Sequence, residues 1–189
     1  MIKAKIKKAL LKDIPCDSKR KALAEHGIDI LISDGRNLLC VFFLSILIHN
    51  TDQAVLYILV LSTLRVHTGG WHASSELNCF ITYQGMFLLF SLLNIFIIPK
   101  GTSIAIMAFS IIYIVLFSPV EHKFNPLSSV EIKSNRLYCF IYSAGYFALF
   151  LSLIKYSYIH AQTIAFTFLF NVVLMELLRS SENYKYHGY

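Results

Sequence analysis

Residues Arg65–Cys79 read RVHTGGWHASSELNC and gather two His, one Cys, one Glu, two Gly and an Arg in fifteen positions. Cys79 and His72 are the pair that could carry covalent chemistry. A thiol attacks as its thiolate, and thiolates are favoured beside an imidazolium or at a helix N-terminus. This stretch can supply both. Ser74 or Ser75 suits the N-cap of the apolar run that follows, with Glu76 in its first turn. Cys79 then lies four or five residues inside a helix, where the dipole still has some reach. His72 lies seven residues upstream of Cys79. In a straight helix that is about 10.5 Å of rise, too far for a direct His–Cys hydrogen bond. A dyad therefore requires a bend, expected at Ser74-Ser75. Thr68-Gly69-Gly70 offers a second turning point, because Gly takes positive φ at little cost.

Bland roles compete with this one. A lone Cys at a helix start is more commonly packing, and a His near a membrane interface is often bonded to backbone. Metal ligation by His67, His72, Cys79 and Glu76 matches no standard zinc spacing. No metal or cofactor is expected. His67 reads as structural, as do His26, His49, His122, His160 and His187. Arg65 could orient a carboxylate or reach lipid phosphates.

The elements that must position this stretch are apolar. Of 189 residues, 56% are hydrophobic and 15% charged, and Phe, Leu and Ile come in long runs. That composition points to a bilayer and to one domain over residues 1–189. Six apolar segments stand out, at 37–49, 54–66, 78–98, 103–118, 137–154 and 158–178. The third and sixth are long enough to span about 30 Å of hydrocarbon. The first extends backwards only by accepting Asp34 and Arg36, which must then snorkel, pair or face protein. The second is short for an unaided span. The expected fold class is all-α, a polytopic membrane protein of about six transmembrane or membrane-embedded helices.

Charge sets the orientation. With the N-terminus inside and six alternating spans, fifteen Lys and Arg fall inside and only Lys100 and Lys155 outside. Both termini are then cytoplasmic, and 65–79 shares the inner face with a second loop, 119–136. The basic segment 1–30 opens with MIKAKIKKALLK, which reads either as an amphipathic helix on the inner leaflet or as a solvated topogenic tail. The net charge of +6 is spread as in a membrane protein, and no nucleic-acid motif is present. The four Cys are far apart, which argues against a disulfide framework.

Arg65, Gly70, His72, Ala73 and Cys79 form an RxxxxGxHAxxxxxC pattern that resembles the accessory gene regulator B (AgrB) family of membrane cysteine endopeptidases. The basic N-terminus, the EHGID segment and the SPVEHKFNPLSSVEIKSNR stretch add to the resemblance. It implies a bacterial cell-membrane enzyme acting on an AgrD-like precursor peptide on the lipid bilayer, and it allows a homodimer. It implies Cys79 as nucleophile and His72 as base, with cleavage of the precursor's acidic tail and closure of a cyclic thiolactone or lactone. Glu76, Asn78 and Glu121 are candidates to orient His72. Backbone N–H groups at the helix start or Arg65 could hold the oxyanion. Lys123, Lys133 and Arg136 could meet the acidic tail, although Glu121 and Glu131 dilute that charge. A peptide exporter without proteolytic activity and a scaffold for a sensor kinase are the competing readings. The first is disfavoured by the scarcity of ionisable residues in the spans, and the second leaves the Gly-Gly, His and Cys cluster unexplained.

Overall fold

The computed structural model describes residues 18–69, 76–121 and 127–180. Among them all regular structure is helical: α1 (Ser18–Leu47), α2 (Thr51–Thr68), α3 (Glu76–Ile95), α4 (Lys100–Phe117), α5 (Ser129–Tyr156) and α6 (Tyr158–Arg179). In an apolar medium each backbone N–H and C=O must be paired within the protein, and a helix does this inside one segment. Four of these helices, α3 to α6, are long and apolar enough to cross a membrane. The chain is thus a membrane protein. The interfacial helix expected at the N-terminus falls largely on residues 1–17, outside the described residues.

Three expected boundaries change. α1 is a single helix of 30 residues that runs straight through Asp34 and Arg36. The segment 65–79 is helical over its described parts 65–68 and 76–79. The loop expected over 119–136 ends at Ser128. There Ser128 Oγ accepts from the Glu131 N–H, and the Glu131 carboxylate accepts from the Ser128 N–H at 2.7 Å. This reciprocal cap starts α5 eight residues before its apolar run. Lys133 and Arg136 therefore stand on a helix, and Glu131 serves as a cap.

α6 is the central helix. Inside the protein lie 78% of its most apolar window, against 28%, 22% and 17% for α3, α4 and α5. It is buried on all sides from Ala161 to Phe168. Two apolar clusters flank it. One joins Val60 and Leu64 of α2 to Met107 and Ile114 of α4, Phe150 of α5, and Ile164 and Phe168 of α6. The other joins Val41 of α1, Tyr57 and Leu61 of α2, Phe87 and Phe90 of α3, and Phe166 and Phe170 of α6. α2 and α6 belong to both, so they form a shared wall with α1 and α3 on one side and α4 and α5 on the other. Outward-facing residues such as Phe43, Ile81, Leu88, Ile112 and Phe140 are exposed, as a lipid-facing surface requires.

Hydrogen bonds at both ends fix the helix directions. At one end Asn94 donates to Gln53 and to Thr163 Oγ1, Gln162 donates to Asn94 Oδ1 and the Phe96 carbonyl, and His160 Nε2 pairs with Asp52. At the other end Thr68 donates to Asn171, and Arg179 donates to Tyr113. The starts of α2 and α6 thus meet the end of α3, and successive helices alternate in direction. Lys100 and Lys155 sit at the first end, and Arg65, Lys133, Arg136 and Arg179 at the second.

In lipid, packing contributes more than transfer from water, so a cavity still costs while an outward apolar side chain contributes little. Phe168→Ala is expected to lower stability by about 3 kcal/mol, the low end for such a change in a soluble core. Leu88→Ala is expected to fall within about 0.5 kcal/mol of the parent. Unfolding in mixed micelles with added denaturant checks the pair.

Candidate functional site

Cys79 is the fourth residue of α3, and its thiol is free and buried. Four residues on, one helical turn deeper, stands Tyr83. The Arg65 guanidinium of α2 lies over the Tyr83 ring at 5.6 Å. Arg65 and Asp34 of α1 are close enough to act electrostatically on each other, and both act on Tyr83, as does Cys79. Asp34 of α1, Arg65 of α2 and Cys79 of α3 therefore lie around Tyr83, within its electrostatic reach. Asp34, expected to snorkel, pair or face protein, lies within electrostatic reach of Arg65. Next to it, Arg36 lies 5.6 Å over the ring of Phe80.

The chain leaving Arg65 is held firmly. His67 stacks on Tyr138 at 4.8 Å and on Tyr142 at 5.4 Å, and its Nδ1 bonds Asn135 Oδ1 at 3.1 Å. His67 is thus a strut between α2 and α5, as its structural reading expects. Thr68 bonds Asn171 of α6, and its carbonyl accepts the Val120 N–H at 2.9 Å. Gly69 follows with φ 73° and ψ −177°, a region essentially reserved to Gly. A Cβ there would collide with the Val120 carbonyl oxygen. Gly69 is accordingly a close-packing residue as well as a turning point.

Through this junction the two connections expected on one face do meet. Val120 is seated on Thr68 and Gly69, and Arg136 Nε donates to the Ser118 carbonyl at 3.2 Å. Arg136 thereby braces the 118–121 segment. Lys133 is exposed on α5. Glu121, next to Val120, is buried, and its carboxylate accepts from the Leu127 N–H at 3.4 Å. Asn78 faces outward at the start of α3, where Glu76 is the first residue. Gly70, His72 and Lys123 lie outside the described residues. Among the described residues no group of three His, Cys, Asp or Glu is placed to hold a metal.

Tyr83 and Asp34 belong to the cluster although neither stood out as a site residue from motif spacing. Two signals point to them: Tyr83 is four residues after Cys79 on a helix, and Asp34 is a charge inside an apolar stretch.

A helical membrane protein with a polar group at one end of its bundle is the class that fold and site define. Residues 2–175 match the family model described as Accessory gene regulator B, and the chain belongs to that family. Neither the curated proteins nor the solved structures give a match. Membership places the protein in the processing of the agr quorum-sensing precursor peptide, within a protease-like enzyme family.

Two glycines make a paired test of the junction. Gly69→Ala is expected to cost at least about 1–3 kcal/mol from backbone strain alone. Gly85→Ala, where a Cβ meets nothing within 4 Å on the exposed side of α3, is expected to be neutral or to gain up to about 1 kcal/mol. Thermal unfolding and limited proteolysis near residue 121 read the difference.

Proposed function

We propose that this protein is a membrane cysteine endopeptidase that removes the C-terminal tail of an AgrD-like precursor peptide through an acyl thioester on Cys79. The observation that carries the reading is the placement of Cys79. It is buried in the first turns of α3, beside Tyr83 and Arg65, at the bundle end where Gly69 begins the connection that bears His72.

In this mechanism His72 takes the proton from the Cys79 thiol, and the sulfur attacks the scissile carbonyl. The oxyanion is held by N–H groups at the start of α3 and by Arg65. Collapse breaks the C–N bond, His72 returns the proton to the leaving amine, and the acidic tail departs. A Cys or Ser side chain within the bound precursor then attacks the thioester carbonyl, and Cys79 leaves with the proton. The product is a thiolactone or lactone ring. Thioester exchange is nearly isoenergetic, so this step depends on holding the nucleophile close and keeping water out. Glu121 is the carboxylate best suited to orient His72, because it is buried next to the Val120–Gly69 junction. Lys123 and Lys133 meet the acidic tail, while Arg136 supports the segment beside them.

All six helices cross the membrane in this account, with both termini cytoplasmic. Support comes from α2, which runs between the same two bundle ends as the apolar α6, and from α1, which lies parallel to α3. Fifteen of seventeen Lys and Arg then fall on the side of Cys79.

Cys79→Ala and His72→Ala are each expected to lose all detectable tail release while inserting normally into membranes. Cleavage and insertion are scored by mass spectrometry of the peptide and by membrane fractionation. Wild-type tail release in either variant would sink the dyad.

A further inference from the structure

Asn37 of α1 is fully buried, and neither its amide nitrogen nor its amide oxygen meets a hydrogen-bonding partner among the described residues. Facing it, Gln84 of α3 donates through Nε2 to the Asn37 main-chain carbonyl at 3.1 Å, and its own Oε1 is likewise buried without a partner. The α1–α3 contact thus holds three buried polar atoms without a partner among the described residues. Such atoms are costly to keep away from water. Asn94 and Gln162, by contrast, are engaged with neighbours, whereas Asn50 Oδ1 and the Ser110 and Ser143 hydroxyls are also buried without a partner among the described residues.

The spot lies further along α3 than Cys79, on the side that faces α1. α1 and α3 run side by side, with Arg36 opposite Phe80 and Asn37 opposite Gln84. Gln84 is five residues beyond Cys79, about 7.5 Å along the helix. Three charged residues lie nearby: Asp34, Arg65 and, next to Asn37, Arg36 over the Phe80 ring. The unpartnered atoms themselves are neutral: one NH2 donor and two carbonyl acceptors. An extended peptide offers the complement, because each residue presents a C=O and an N–H along one edge.

We infer that the Asn37 side-chain amide, with Gln84 Oε1, binds the main chain of the precursor beside its scissile bond and holds it in extended form against α3. The inference rests on the peptidase reading above for its ligand. It assigns Asn37 and Gln84 as positioning residues that read backbone, so they set where the peptide lies and leave side-chain selection to other groups.

The test uses full-length protein in lipid nanodiscs carrying Cys79→Ala, so that binding is measured without turnover. The probe is a fluorescent synthetic precursor with its acidic tail. Adding Asn37→Leu is expected to weaken binding at least tenfold, with thermal stability equal to or above that of the Cys79→Ala parent. Adding Gln84→Met is expected to weaken binding two- to fivefold, and gives a second reading through a different helix. Binding within twofold of the parent in both variants would overturn the inference and assign the amide to a structural water. A marked loss of stability in Asn37→Leu would also overturn it, by showing the amide already satisfied in the free protein. Tail release that persists in Cys79→Ala would instead overturn the peptidase reading, and the binding comparison would still stand.

Discussion

A polar group inside a lipid-embedded bundle must find its partner within the protein, and α6 is where this constraint is met. Gln162, Thr163, Thr167 and Asn171 form a buried polar line on the central helix. At one end Gln162 and Thr163 hold Asn94 and the backbone after α3. At the other, Asn171 holds Thr68 at the end of α2. Apolar packing alone gives little reason for helices to choose one another over lipid. These bonds supply the reason, and they set which end of each helix lies where.

The site inherits its geometry from that arrangement. Thr68 is bonded to Asn171 through its hydroxyl and to Val120 through its carbonyl, so α2, α6 and the segment after α4 share one anchor. Gly69 lets Val120 sit against the backbone, and His67 ties the same turn to α5. The connection carrying His72 therefore departs from a rigid point. Cys79 arrives from the opposite side on α3, with Tyr83 and Arg65 beside it.

Much of the fold was legible in the sequence because lipid imposes a simple rule on long apolar runs. Runs at 78–98, 103–118 and 158–178 correspond closely to α3, α4 and α6. Hydropathy failed where charge or capping decides. α1 passes through Asp34 and Arg36, with Asp34 within electrostatic reach of Arg65 and Arg36 over the Phe80 ring, and neither relation is visible along the chain. α5 begins at Ser129 because Ser128 and Glu131 cap it, a signal present as SSVE but outweighed by the polar composition of its first turns. At the site, the charge count put the 65–79 and 119–136 stretches on one face, but the contact of Gly69 with Val120 depends on packing. The buried amides of Asn37 and Gln84 were not legible either, since burial on an α1–α3 contact depends on how two helices pack.

The measurement that bears most directly on Cys79 as the acylated nucleophile is a trap of its intermediate. Wild-type protein in lipid is incubated with a matched precursor, quenched in acid and digested, and peptide attached to Cys79 is sought by mass spectrometry. A hydroxylamine-sensitive adduct on Cys79, formed together with free C-terminal tail, is the predicted result. Release of the tail with every adduct absent from Cys79, in correctly inserted protein, would contradict the account.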